Sequence, residues 1–259
     1  MDTQQLKSLR ILLIGESCID EYHYGQCNRL SPEAPVPVLD HVYSKSCPGM
    51  AANVLQNLES FGAQVDVITN DPSELIKERY VDARSKHQLL RVDRGKKVEP
   101  ISDTNLYLSD LTVYDAIIFS DYEKGLIPYN IAKDICMTSS CPIFVDTKKV
   151  DLTCFPKCFI KINEFEEMES HAFSTDSEMI VTKGKQGAFW NSISFPAPSV
   201  DVYDVSGAGD VFLATFAMSV TCDDPIGTSI ERAVKMASRS VQHFGTYKLT
   251  EEDVNEICS

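Results

Sequence analysis

Asp204-Val205-Ser206-Gly207-Ala208-Gly209-Asp210 runs directly into the apolar stretch Val211 to Met218. Two glycines around an alanine let backbone N–H groups turn inward, and a buried helix starting behind them adds unpaired N-terminal donors and the positive end of its dipole. Such a turn is a cradle for an anion. Gly207, Ala208 and Gly209 are therefore read as an anion hole. Asp210, in the first helical turn, is read as the base that takes the proton of a hydroxyl attacking beside the bound anion. The same residues also suit a plain glycine loop in which Asp210 only caps the helix.

The elements that must position this turn are apolar runs that end in polar residues. Ile11 to Gly15 is a buried first strand, and Asp20 follows where strand ends open into a crevice. Tyr22 to Val38 carries Pro32, Pro35 and Pro37, which forbid a helix and suit an extended edge or flap. Pro48 to Asn53 leads into a helix that runs to Phe61 and stops at Gly62. Val65 to Thr69 reads as a strand, Pro72 to Arg79 as a short helix, and Gln88 to Asp93 as a strand with basic neighbours. Ala116 to Asp121, Pro142 to Asp146, Phe159 to Asn163 and Met179 to Gly184 repeat the strand pattern, the first two ending in aspartate. The last helices span about Ile226 to His243 and Thr250 onward. Alternating strands and helices predict a mostly parallel sheet with helices on both faces, and the polar strand ends predict one shared crevice. Residues 1–259 read as a single domain without repeat or linker.

The formal net charge is −14, with 24 Lys+Arg against 38 Asp+Glu. That balance excludes a nucleic-acid or anionic-membrane partner and requires any anionic substrate to meet a local basic pocket. Nine cysteines, an odd number with no C-x-x-C pair, exclude a disulfide framework and a zinc-finger site. They read as reduced thiols of a cytoplasmic protein. Met1 to Arg10 has no apolar targeting core, and no run is long enough to cross a bilayer.

Several blocks in order resemble the ribokinase-like (phosphofructokinase-B type) carbohydrate kinases, and within them the D-glycero-β-D-manno-heptose-7-phosphate kinases. They are Arg29 to Val38 (R-L-S-P-E-A-P-V-P-V), Pro48 to Asn53, Gln88 to Asp93 (Q-L-L-R-V-D), Ser120 to Gly125 (S-D-Y-E-K-G), Asn163-x-x-Glu166, Thr182-x-Gly184-x-x-Gly187, and Tyr203 to Asp210. The resemblance implies a three-layer α/β/α sandwich with a small, shortened β lid built from segments around 22–47 and 81–93. It implies an ATP- and magnesium-dependent phosphotransferase acting on a sugar hydroxyl, most closely the anomeric hydroxyl of heptose 7-phosphate. Other sugars, sugar phosphates or nucleosides, or a non-catalytic binding protein on the same fold, are the alternatives.

Residue by residue, the resemblance makes Asp210 the catalytic base and Gly207, Ala208 and Gly209 the anion hole. Asp20, Gly49, Asn53 and Gln88 become sugar-holding positions. Asn163 and Glu166 become the pair that organises magnesium through water, and Thr182, Gly184 and Gly187 the strand and turn along the nucleotide. Asp204 takes a place near a monovalent cation such as potassium, and Lys148, Lys161 and Lys183 offset phosphate charge. Read without the resemblance, Asn163 is a helix cap, Glu166 a solvated face, Asp20 a turn former, and Gly184 and Gly187 hairpin glycines.

The chain departs from the pattern at Met50, where the family has a second glycine, and in its short segments from Thr69 to Val81 and after Glu166. Ser238 stands where relatives carry an asparagine near the base. No nucleotidylyltransferase-like second domain is expected, and dimerisation through the lid is the expected form of self-association.

Overall fold

Within each central strand, alternate side chains go to opposite faces, and this alternation builds the molecule's two cores. In the computed structural model, which describes residues 1, 3–102 and 110–258, β1 (Arg10–Gly15) sends Ile11 and Leu13 to one core and Leu12 and Ile14 to the other. The strands β4 (Gln64–Ile68), β7 (Ala116–Asp121), β8 (Ile143–Thr147), β10 (Phe159–Asn163) and β12 (Glu178–Thr182) lie parallel to it in one sheet. The antiparallel hairpin β13 (Ala188–Trp190) and β14 (Ile193–Phe195) closes one edge, giving the order β14-β13-β12-β10-β8-β7-β1-β4. Both faces of β1, β7 and β8 are buried, which is why they read as apolar runs, whereas the edge strand β4 alternates polar and apolar residues and has no buried one.

The two covering layers are unequal. The first core is packed by α2 (Ala51–Ser60), α5 (Ala208–Thr221), α6 (Ile226–Ser240) and α7 (Glu251–Cys258), with α1 (Thr3–Ser8) at its margin. The second is covered by α3 (Tyr129–Thr138), by irregular segments carrying Val98, Ile101, Leu126 and Phe155, and by Leu152 of the short strand β9 (Asp151–Leu152), which pairs with β11 (Ala172–Phe173). The short α4 (Glu164–Glu169) follows β10. Among the described residues no helix is long and apolar enough to cross a membrane.

A second sheet of four strands stands apart, in the order β3-β2-β5-β6. Its long hairpin is β2 (Ser17–Leu30) and β3 (Pro37–Met50), with the proline-rich 31–36 segment as its tip. β5 (Ile76–Asp82) runs parallel to β2, and β6 (Gln88–Arg94) antiparallel to β5. The short helix expected over Pro72 to Arg79 is thus corrected: a single 3-10 turn, Pro72–Glu74, capped by the Asp71 carboxylate, gives way to a strand. Two neighbouring strands satisfy the backbone of β5, which outweighs the local helical tendency of its charged residues. The sheets join tightly. Only Glu16 separates β1 from β2, and β3 passes directly into α2, where Ala51 N–H donates to Glu16 C=O at 2.9 Å.

Candidate active site

Asp210 lies in the first turn of α5, only 3% exposed. Asn53 Nδ2, from α2, donates to its Oδ2 at 2.9 Å, and the Tyr122 hydroxyl, from the segment after β7, donates to Oδ1 at 2.9 Å. Burial pushes its carboxyl up to about 6, with Asp146 adding to the rise and the two hydrogen bonds opposing it. A base titrating near 6 is charged at neutral pH yet still has appreciable affinity for a proton. Burial likewise holds Tyr122 well above the usual phenol range, so its hydroxyl remains a donor.

The helix start is shaped for an anion. Gly207 has φ +77°, and no side chain caps the helix. A Cβ at Gly207 would sit 2.6 Å from Asn53 Nδ2, so the turn is pressed against the residue that holds the base. Behind it, Asp146 and Lys161 occupy the same face of β8 and β10 as the core residues Phe144 and Phe159. The Lys161 ammonium donates to Asp146 Oδ2 at 2.6 Å, and a Cβ on Gly209 would lie 2.8 Å from that ammonium. A buried cation therefore underlies the cradle. The two aspartate-ended strands do not share one crevice as expected. Asp121 points to the opposite core with Phe119, where it pairs with Lys149 at 2.9 Å and accepts from the Thr147 hydroxyl at 2.6 Å.

Beside the cradle opens a cavity of about 570 Å³. Thr182, Gly184 and Gly187 line one wall, Ala208, Gly209 and Phe212 another, and Ser238 lies on α6 in the same lining. Gly184 and Gly187 are at once hairpin glycines, joining β12 to β13, and cavity wall. The mostly apolar lining is that of a small-molecule pocket.

Asn163 and Glu166 come together first as a helix cap. The Asn163 side chain accepts from the N–H groups of Phe165 and Glu166, and Glu166 Oε2 accepts from Asn163 N–H at 2.7 Å, a reciprocal capping box. Glu166 Oε1 makes no hydrogen bond and faces the ammonium of Lys148, itself lowered in pKa chiefly by burial. That nearly buried oxygen, ion-paired with the part-exposed Lys148 ammonium and bound by no hydrogen bond, fits a hydrated magnesium ion; Asn163, whose carbonyl is already used, fits one poorly. Lys183 pairs with Glu167 at 2.9 Å. Asp204 accepts from Ser206 N–H at 2.9 Å, from Gly245 N–H at 3.0 Å and from the Tyr22 hydroxyl at 3.4 Å. Those donors give it a loop-clamping role that needs no cation.

The small sheet contributes one face. Cys18, Asp20, Tyr22 and Tyr24 alternate inward along β2, and Lys77 and Arg79 along β5. Asp20 is buried and ion-paired with Arg79, which the sequence placed in a helix and which is the residue most clearly missed there. Gly49 is required by contact: a Cβ would lie 2.0 Å from Asp20 Oδ2. Gln88 is a correction. It is exposed and pairs with Val81, four residues beyond the Lys77 that faces Asp20, or roughly 13 Å along the strand. Arg91, directly opposite Arg79, is the β6 residue near Asp20.

Tyr122 and Glu16 were also unassigned. Glu16 is fully buried; its Oε1 accepts from the N–H groups of Lys124 and Leu126 and its Oε2 from Tyr122 N–H, fixing the segment that carries Tyr122. The ammonium of Lys77 lies 4.8 Å, and that of Lys148 5.6 Å, from the centre of the Tyr122 ring. The S-D-Y-E-K-G block was the available signal, but nothing in it singles out the tyrosine.

Comparison with known proteins places this geometry. The pfkB family carbohydrate kinase profile matches residues 158–253. A bifunctional protein HldE from a Nitratiruptor species is 30% identical over 297 residues, covering 95% of this chain and 64% of that protein. Its counterpart from Coxiella burnetii is 28% identical over 304 residues, covering 96% and 64%. The chain thus spans less than two thirds of the length of these curated relatives. Phosphofructokinase-2 of Escherichia coli, solved with substrates and products, superposes with TM-score 0.73 at 14% identity, covering 96% of this chain and 98% of that one. The ribokinase of Arabidopsis thaliana complexed with ribose and ATP superposes with TM-score 0.68 at 15% identity, with the same coverages. The three-layer, ribokinase-like fold follows from these superpositions.

Proposed function

We propose that the chain, whose residues 158–253 match the pfkB family carbohydrate kinase profile, is a kinase of that family and moves the γ-phosphoryl group of ATP to the anomeric hydroxyl of D-glycero-β-D-manno-heptose 7-phosphate. The observation that carries the reaction is Asp210, buried, held by Asn53 and Tyr122, and set beside an uncapped helix start. The resemblance of Arg29 to Val38 and its companion blocks to heptose-7-phosphate kinases supports the acceptor. So does the inward face of the small sheet, where Lys77, Arg79 and Arg91 outnumber the carboxylates Asp20 and Asp93 that pair with the two arginines.

In this reading the nucleoside occupies the cavity lined by Thr182, Gly184, Gly187 and Phe212, which aims the phosphates at the Gly207 to Gly209 turn. The N–H groups of that turn and the Lys161 ammonium beneath it stabilise the charge on the transferred group. The acceptor sits between α2 and the inner face of the small sheet, with Asp20 and Asn53 fixing its hydroxyls. Asp210 takes the hydroxyl proton in line with transfer. Tyr122 and Asn53 hold the carboxylate in position for it. Magnesium, when bound through water at Glu166, neutralises the phosphate chain.

ADP release should be measured with ATP and magnesium across heptose 7-phosphate, fructose, ribose, their phosphates and adenosine. Turnover largely confined to heptose 7-phosphate is the expected result. Faster turnover on another acceptor would retain the phosphotransferase and discard this substrate, and nucleotide binding without turnover on any acceptor would remove the enzymatic reading.

A further inference from the structure

The outward face of the small sheet carries a separate cluster that phosphoryl transfer does not use. Glu21 and His23 are two apart on β2 and share that face; Glu78 on β5 is the direct register partner of Glu21. Two like charges placed directly opposite each other destabilise a strand pair unless something positive lies between them. Arg94 answers only part of this. Its Nε donates to Glu78 Oε2 at 2.7 Å and its Nη2 reaches Oε1 at 3.4 Å, while Glu21 feels its charge only at longer range.

His23 stands between the two carboxylates. Its Nε2 is buried, makes no hydrogen bond, and lies 3.7 Å from both Glu21 Oε2 and Glu78 Oε1. The ring is fixed from behind: Nδ1 meets Ser44 Oγ at 2.9 Å, and Tyr80 stacks on it at 4.8 Å. The three ligand atoms lie within 4.8 Å of one another. Separations of 3.7 Å are too long for hydrogen bonds and close to the edge of a tetrahedron with metal–ligand bonds of 2.0–2.1 Å, which is about 3.4 Å. The Ser44 contact is the outer hydrogen bond that ordinarily orients a metal-binding imidazole.

We propose that Glu21, His23 and Glu78 form a site for a divalent transition metal of the zinc type, with the fourth position open to water. One nitrogen and two carboxylate oxygens suit zinc and its neighbours; magnesium and calcium, which take all-oxygen sets, are poorly served. The metal would bridge β2 and β5, replacing a repulsion with a cross-strand link on the face remote from Asp210.

The test uses the chelator-treated protein, zinc chloride as probe, magnesium chloride as control, and the variants His23→Gln and Glu21→Gln. Wild type is expected to take up one more zinc equivalent than His23→Gln, and to gain several degrees in Tm with zinc but not with magnesium. Counting the difference removes any zinc held by the nine cysteines. Cobalt substituted for zinc should give a tetrahedral visible spectrum that His23→Gln lacks. In chelator, Glu21→Gln should melt at or above the wild-type temperature, because a repulsion is gone, and should lose the zinc-dependent gain. Equal zinc uptake and equal Tm gain in wild type and both variants would overturn the site. So would a Glu21→Gln protein destabilised alike with and without zinc, since the carboxylate would then be serving a metal-free ion pair with a protonated His23.

Discussion

The two sheets meet at one site but are built from different forces. The large sheet is sealed between two broad apolar cores, which enclose the buried ion pairs of Lys161 with Asp146 and Lys149 with Asp121. The small sheet joins the second core through Cys18 and Met50; beyond them, among the described residues, it has a small apolar cluster around Tyr22, Tyr24 and Val81 and leans on ion pairs: Asp20 with Arg79, Glu78 with Arg94, Arg91 with Asp93. Area-proportional burial is robust to small displacements, whereas a buried ion pair depends on the geometry of both partners. The large sheet is therefore a frame set mainly by apolar packing, and the inner face of the small sheet a surface whose shape is set by a few charges.

The sharpest test of that contrast is at the buried carboxylate of Asp210. Asp210→Asn should lower turnover by about 10³-fold while leaving nucleotide binding intact. Its stability should move the other way. Because burial raises the Asp210 carboxyl from 3.8 to about 6, the folded protein holds a proton that the unfolded chain releases, and wild type loses stability as pH rises from about 4 to about 6. The asparagine variant should lack that loss and be more stable at pH 7 by up to about 3 kcal/mol, seen in urea midpoints taken across this range. A variant that is inactive and also less stable would make Asp210 a structural cap.

On the charge-built side, Arg79→Met strands the buried Asp20 carboxylate. The expected cost is about 3 kcal/mol, confined to the small sheet. It should appear as lost amide protection in β2 and β5 while β7 and β8 keep theirs; equal loss in all four strands would erase the distinction between the sheets. A smaller effect tests the join between them. Tyr122→Phe removes a hydrogen bond that lowers the Asp210 pKa, so the acid limb of kcat/KM should move to higher pH, with a loss of about tenfold or less at pH 7. An unmoved acid limb would detach Tyr122 from the base.

The same contrast explains what the sequence made legible. Ile11 to Gly15, Ala116 to Asp121 and the Gly-Ala-Gly turn announce themselves because burial on both faces writes an unbroken apolar run and a helix start needs small residues. β5 does not. Ile76-Lys77-Glu78-Arg79-Tyr80 carries charge on both faces, each charge answered by a partner far away in sequence, so no period of two in hydrophobicity survives. Gln88 was misplaced for a related reason: which end of β6 approaches Asp20 depends on register, which pairing decides. Glu16, next to an apolar strand, reads as the end of that strand, and only the folded segment 122–126 shows what it holds.

Glu16 also has a mechanical consequence. Its backbone is the whole link between β1 and β2, its carbonyl receives Ala51 N–H where β3 returns to α2, and its carboxylate grips the segment bearing Tyr122. These attachments tie three parts of the fold to one residue: the β1–β2 junction, the start of α2 and the Tyr122 segment. A displacement of the small sheet about Glu16 would therefore carry the Tyr122 hydroxyl, and its hydrogen bond to Asp210, with it.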